Sequence, residues 1–197
     1  TVAHTFVATV SAIVHCGAKP VLIDVGKDYN MDLDLLEQAI TPRTKAILPV
    51  HLNGRTCDME RLMTIARKHD LAVIEDAAQA LGATFNGKRA GGFGDTGCFS
   101  FYPFKVLGGF GDGGAVTTSD AKLAEEVHML RNLGQAAKND HMRLGYNMRL
   151  DALQAIALSL KLPHLEDAIK KRQLAAARYD KLLDDAKLPV QYVSRHA

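Results

Sequence analysis

Short apolar runs alternate along the chain with stretches in which apolar residues recur every three or four positions. Several short runs are continuously apolar, which is typical of strands buried on both faces of a parallel sheet. Their alternation with helix-period stretches predicts an α/β fold in which helices cover a mostly parallel sheet. The predicted strands are residues 20–25, 45–50, 71–75, 98–101 and 115–118.

Side chains that can cap a helix precede most of the helix-period stretches. The candidate caps are Asn30 or Asp32, Asp58, Ser119 or Asp120, and Asp151. The last of these helices should kink or end at Pro163, and the charged, Ala-rich residues 166–185 predict a connector helix. We therefore expect a large domain over residues 1–163. Residues 164–197 should hold the connector helix and the start of a small C-terminal domain.

Composition excludes several classes of protein. The net charge is +2, without long runs of like charge, so neither nucleic acid nor a membrane surface is an expected partner. The apolar runs are too short to cross a bilayer. Three widely spaced cysteines indicate a reduced, cytoplasmic setting, and the histidines show no metal-ligand spacing, so we expect no metal. The chain opens at Thr1 without a Met or a signal sequence, as expected for an interior piece of a longer protein.

Two carboxylates, Glu75 and Asp76, end one of the predicted strands. Ligands of open parallel sheets bind at the carboxyl edge of the strands, so these side chains are candidates for a binding site. The alternative from spacing alone is that both residues cap the next helix.

A lysine stands between the end of another predicted strand and a glycine-rich run. Ser100 ends the strand, Pro103 turns the chain, and Lys105 precedes the glycines of residues 108–114. A lysine in a partly dry pocket can lose its proton and attack a carbonyl, whereas most lysines are solvated surface residues. The glycines match a dinucleotide fingerprint, but a strand-like run follows them instead of a helix, so we reject that interpretation. They favour a tight turn beside the lysine.

A third cluster precedes the helix predicted after Asp151. Asn147 and Arg149 are candidates for binding an anion near that helix N-terminus, although Asn147 is equally suited to a turn. His51 follows a predicted strand, and we interpret it as a structural, hydrogen-bonded histidine.

Four motifs occur in the order and context of one family. Residues 75–80 read Glu-Asp-Ala-Ala-Gln-Ala, and residues 111–114 read Gly-Asp-Gly-Gly. Residues 99–105 read Phe-Ser-Phe-Tyr-Pro-Phe-Lys, and residues 145–151 read Gly-Tyr-Asn-Met-Arg-Leu-Asp, with shorter matches at residues 5–9 and 49–52. Over nearly all of residues 1–185 the chain resembles the pyridoxal-phosphate nucleotide-sugar aminotransferases of the DegT/StrS type. The resemblance implies their three-layer αβα, aspartate-aminotransferase-like fold, with residues 1–163 as the cofactor-binding domain.

The resemblance also implies a role for each matching residue. Lys105 would hold pyridoxal 5'-phosphate as a Schiff base and then carry a proton between substrate and cofactor. Around the cofactor, Asp76 would pair with the pyridine nitrogen, Gln79 would approach the ring hydroxyl, Phe6 would stack on the ring, Ser100 would bind the phosphate, and Asn147 would reach the phosphate in a neighbouring subunit. The implied protein is a homodimer with shared sites that moves an amino group from an amino acid, glutamate, to a keto-sugar nucleotide.

The chain departs from the family pattern in length. The glycine-threonine loop that grips the phosphate would precede Thr1, and most of the small domain would follow Ala197. Two alternatives stay open: another enzyme of the same fold that acts on small amino acids or aromatic precursors, and a non-catalytic regulatory protein that keeps the fold. Some members of the family are dehydratases with a histidine in place of the lysine, and Lys105 argues against that activity.

Overall fold

The computed structural model describes residues 1–187. In chain order the elements are α1 (Val7–His15), α2 (Leu33–Ala39), β1 (Ala46–Ile47), α3 (Met59–Lys68), β2 (Ala72–Asp76), β3 (Thr84–Phe85), β4 (Lys88–Arg89), β5 (Thr96–Ser100), β6 (Gly114–Thr117), α4 (Ala121–Leu130), β7 (Gln135–Ala137), β8 (Asp140–His141), α5 (Ala152–Lys161) and α6 (Leu165–Ala186). Short 3₁₀ turns span Leu52–Gly54 and Leu162–His164. Most of the predicted start of a small domain lies outside the described residues.

The central sheet has four strands in the order β1–β2–β5–β6. β1, β2 and β5 are parallel, and β6 runs antiparallel to β5. Asp76, the last residue of β2, is in register with Cys98 of β5, and β5 ends at Ser100. Parallel strands present their carboxyl ends at one edge of a sheet, so these two strands deliver their last side chains to the same edge. The predicted α/β class with a mostly parallel sheet is confirmed.

Two predicted strands are shorter in the structure. Residues 20–25 form no continuous strand, because Ile23 and Val25 make only isolated bridges. The strand predicted at residues 45–50 is reduced to β1, with one further bridge from Val50 to Asp76. Pro49 lies between them and has no N–H to donate, which interrupts the ladder.

Two antiparallel hairpins were not predicted. β3 and β4 are joined by Asn86 and Gly87, whose φ angles of 47° and 76° are the left-handed values that a tight hairpin turn requires. The Asn-Gly pair is the sequence signal that could have revealed this hairpin. The second hairpin pairs β7 with β8.

The predicted helices that follow capping residues are confirmed. Backbone N–H groups of the first turns donate to the side chains of Asp32 before α2, Asp58 before α3 and Asp120 before α4. α5 follows Asp151, whose side chain makes no capping hydrogen bond, and the long α6 covers the predicted connector. No helix within residues 1–187 combines the length and apolar character needed to cross a membrane.

The hydrophobic core lies between α2, α3 and the first strands of the sheet. Met59 and Leu62 of α3 pack there with Val73 of β2, and all three are fully buried. Burying such a side chain contributes roughly 1.5–3 kcal/mol. The core therefore fixes β2, and with it the edge of the sheet at which Asp76 stands.

Candidate active site

Asp76 stands at the carboxyl edge of the sheet with its side chain held from two sides. The Thr9 hydroxyl of α1 donates to Oδ2 at 2.7 Å, and the backbone N–H of Ala78 donates to Oδ1 at 3.1 Å. Residues 77–83 contain turns and no helix, so the interpretation of Asp76 as a helix cap is wrong. A carboxylate has about four acceptor positions, so both oxygens keep capacity for a further donor.

Glu75 faces the other way and is fully buried. Successive side chains of a strand point to opposite faces, which separates Glu75 from Asp76. Its Oε1 accepts from the N–H groups of Phe93 and Gly94 at 2.6 and 2.7 Å, and its Oε2 accepts from Gly91 N–H at 2.7 Å. Glu75 therefore fastens the turn at residues 91–94 to β2 and has no helix to cap.

His51 completes the partners of Glu75. Its Nδ1 accepts from Cys57 N–H at 3.2 Å, so the ring proton is on Nε2, which donates to Glu75 Oε2 at 2.9 Å. Burial raises the pKa of Glu75, but the hydrogen bonds from His51, Gly94 and Gly91 outweigh burial and lower the pKa below its ordinary value of 4.5. The prediction that His51 is a structural, hydrogen-bonded histidine is confirmed.

Lys105 lies in a tight turn that follows β5. The turn is closed by Lys105 N–H donating to Tyr102 O and by Gly109 N–H donating to Phe101 O, each at 2.8 Å. Gly108 has no room for a side chain, because a Cβ there would stand 2.3 Å from Pro103 O. Lys105 is partly buried, and among the described residues its ammonium has no hydrogen-bonding or ionic partner. The Lys105 side chain is thus free of competing partners among the described residues.

The glycine run after Lys105 is held by α5, which the sequence did not reveal. Gln154 Oε1 accepts from the N–H groups of Phe110 and Gly111 at 2.7 and 3.2 Å. Lys161, seven residues later on the same helix face, donates to Gly108 O at 2.6 Å. The run leads into strand β6 and not into a helix, as the sequence predicted.

Gln79 and Ser100 each have a donor group left over. Gln79 Oε1 accepts from Asn53 N–H at 2.8 Å, which leaves its amide nitrogen to donate elsewhere. Ser100 Oγ accepts from Tyr102 N–H at 3.3 Å, which leaves its hydroxyl proton to donate. Both residues therefore present hydrogen-bond donors at the ends of β2 and β5.

Phe6 and Asn147 are the most exposed of the candidate residues. Phe6 is the N-cap residue of α1, is 71% exposed, and lies three residues before Thr9. Asn147 precedes α5, and its Oδ1 accepts from Arg149 Nε at 3.1 Å. Arg149 is thus engaged with Asn147, as suits a turn before the helix.

A cavity of about 740 Å³ lies between α1 and the sheet. Thr9, Asp76 and Ser100 are among its lining residues, whereas Gln79, Lys105 and Asn147 are not. The structure therefore brings Asp76, Ser100 and Thr9 to one cavity, places Gln79 and Lys105 a few residues beyond the same strand ends, and leaves Asn147 on the surface before α5.

The side chains at this edge fit the chemical groups of pyridoxal phosphate. Asp76 offers a carboxylate with spare acceptor capacity for a pyridine N–H, and Lys105 offers an amine without a partner among the described residues. Gln79 and Ser100 offer donors for ring and phosphate oxygens. No group of three or more His, Cys, Asp or Glu side chains within residues 1–187 could hold a metal ion.

Comparison with solved structures defines the class of fold. S. venezuelae DesV matches with a TM-score of 0.90 and 46% identity, over 93% of this chain and 50% of DesV. The chain therefore has the aspartate-aminotransferase-like fold that the resemblance implied. Residues 1–196 match the DegT/DnrJ/EryC1/StrS aminotransferase family, and the chain belongs to that family.

Curated relatives agree with this membership. A pleiotropic regulatory protein of Geobacillus stearothermophilus is 48% identical over 94% of this chain and 50% of its own length. The UDP-N-acetyl-3-dehydro-alpha-D-glucosamine 3-aminotransferase of Acidithiobacillus ferrooxidans is 51% identical over 89% of this chain and 48% of its own length. The chain thus spans about half the length of the curated relatives it matches.

Proposed function

We propose that the full-length protein containing this chain transfers an amino group from an amino acid, glutamate, to a nucleotide-linked keto sugar, with pyridoxal 5'-phosphate as cofactor. The observation that carries the proposal is the pairing of β2 with β5. It puts the carboxylate of Asp76 and the hydroxyl of Ser100 at one edge, with the Lys105 amine in the turn that follows. The keto-sugar substrate is supported by the name of the Acidithiobacillus relative.

In this proposal the candidate residues hold the cofactor and move a proton. The cofactor, when bound, supplies an aldehyde that bonds amines and a ring that accepts electrons. Lys105 would hold the cofactor through its amine at that aldehyde and, once the amino donor has taken its place there, would hold and move a proton at Nζ. Asp76 would keep a proton on the pyridine nitrogen by offering it a carboxylate. Gln79 and Ser100 orient the ring and the phosphate, and Phe6 covers one ring face.

A spectral titration of the full-length protein tests the proposal. Glutamate should abolish the visible absorption of the lysine-bound cofactor, because the amino group moves onto the cofactor. UDP-N-acetyl-3-dehydro-glucosamine should then restore the absorption, whereas the same nucleotide sugar with a hydroxyl at that carbon should not. Loss of the band with glutamate that no keto sugar reverses would instead favour an enzyme of small amino acids or aromatic precursors.

The name of the Geobacillus relative favours a second candidate, a regulatory protein that keeps the fold and the cofactor without transferring an amino group. The same titration separates the two candidates. A protein whose visible band is unchanged by glutamate, although the cofactor is bound, supports regulation.

We also infer that the protein is a homodimer. Leu153, Ile156 and Leu160 form an apolar face of α5 and are exposed, and Leu144 before the helix is 97% exposed. Exposed apolar surface of this kind marks interfaces. Asn147 precedes the same helix, so a partner on this face would lie near Asn147, to which the family resemblance gives a role at the partner's cofactor phosphate. Sedimentation of the full-length protein at the mass of one subunit would contradict this inference.

We propose residues 1–163 as the cofactor-binding domain and residues 164–197 as the connector and the start of the small domain. The 3₁₀ turn at Leu162–His164, which separates α5 from α6, supports this boundary.

A cytoplasmic location is supported by the free thiols of Cys16, Cys57 and Cys98.

A further inference from the structure

We propose that Thr5 and Thr9 are positioning residues, which hold the Asp76 carboxylate in place for the pyridine nitrogen through a relay of two hydroxyl groups. The inference rests on the proposed function, because it concerns how the same site orients its cofactor.

The direction of the relay follows from the number of protons. Thr9 Oγ1 lies 2.7 Å from Asp76 Oδ2 and 2.8 Å from Thr5 Oγ1. The ionised carboxylate has no proton to give, so the single hydroxyl proton of Thr9 must be donated in the hydrogen bond to Asp76. Thr5 must therefore be the donor in its contact with Thr9. The relay runs from Thr5 through Thr9 to Asp76, and each hydroxyl has one defined orientation.

The relay fixes the carboxylate from the side that its own strand cannot reach. Ala78 N–H holds Oδ1 from the chain that follows β2, and Thr9 holds Oδ2 from α1. With both oxygens held, the carboxylate plane cannot rotate freely. Hydrogen bonds to an ionised group are the stronger kind, and Thr9 is buried, so water competes little for this contact.

The relay also fixes the start of α1 relative to the edge of the sheet. Thr5 and Thr9 are four residues apart and flank Phe6, the N-cap residue of α1. Anchoring both threonines to Asp76 sets the distance between that carboxylate and the helix end that carries Phe6. In the proposed function Asp76 contacts the pyridine nitrogen and Phe6 stacks on one face of the same ring.

The test uses isosteric replacement in the full-length protein. Thr9→Val removes the hydroxyl, and we expect it to weaken pyridoxal-phosphate affinity by about tenfold or more and to shift the absorption maximum and circular dichroism of the bound cofactor. Thr9→Ser should restore both readouts. Thr5→Val, at a less buried position, should have a smaller effect of the same sign. Thr64→Val on α3, whose hydroxyl donates to Glu60 O, is the matched control and should change neither readout.

A double-mutant cycle with Asp76→Asn checks that the relay acts through the carboxylate. Thr9→Val should add little to the loss of affinity that Asp76→Asn already causes, whereas independent, additive losses would overturn the inference. Wild-type affinity and spectra in Thr9→Val would overturn it as well. Those outcomes leave the proposed function intact. A wild-type protein that binds no pyridoxal phosphate would overturn both.

Discussion

Replacing Lys105 with alanine is expected to abolish covalent attachment of pyridoxal phosphate and to slow amino transfer by about 10²–10⁴-fold or more. Positioned proton transfer alone contributes rate factors of about that size, and the variant loses the anchoring bond in addition. The expectation depends on the Lys105 ammonium having no partner among the described residues, because an amine engaged in an ion pair would be a poor nucleophile.

Borohydride reduction followed by peptide mapping measures the attachment directly. In the wild-type protein the label should be found on the peptide that contains Lys105, and the Lys105→Ala variant should carry none. Lys105→Arg keeps the positive charge but lacks a nucleophilic amine, so it should behave like the alanine variant. Lys122→Ala, on the exposed face of α4, is the control and should label normally. Label on another lysine of the wild-type protein would contradict the assignment.

Local patterns of the sequence were sufficient for much of the fold. The Asp caps before α2, α3 and α4 could be predicted from the sequence, because a cap side chain accepts from an N–H group only two or three residues further along the chain. The ends of β2 and β5 were predicted to within one residue, because a buried apolar run stopped at polar residues. α1 was missed, since its Val, Thr and Ile residues have modest helix propensity and the helix depends on tertiary contacts.

The site was less predictable where it depends on contacts between distant residues. Thr9 is 67 positions from Asp76, and Gln154 is 44 positions from Phe110, so no local pattern links them. The separation of Glu75 from Asp76 could have been predicted, because neighbouring strand residues face opposite sides. The two carboxylates therefore belong to opposite faces of β2 and form no single cluster. The placement of Lys105 beside a tight glycine turn could be predicted from the local run of glycines.

Replacing Glu75 with glutamine is expected to destabilise the fold by about 2–6 kcal/mol, because each of two buried donors left without an acceptor costs about 1–3 kcal/mol. Each Glu75 oxygen accepts two hydrogen bonds: Oε1 from Phe93 and Gly94, and Oε2 from Gly91 and His51. A glutamine can offer one oxygen only, so its NH₂ group must face two donors. Those buried donors would then be left without acceptors. Urea unfolding of the full-length protein measures the loss, and Glu125→Gln on the exposed face of α4 should change stability by less than about 0.5 kcal/mol.

The pH dependence of this difference distinguishes the charge of Glu75 from its shape. The folded protein lowers the pKa of Glu75 below 4.5, so folding favours the ionised carboxylate. The stabilisation is therefore fully present above pH 4.5 and is lost as the pH falls through the folded-state pKa. The stability gap between wild type and Glu75→Gln should accordingly be constant near neutral pH and narrow in acid. A gap that stays constant into acid would show that packing, and not the ionised acceptor, is what holds the turn at residues 91–94 against β2.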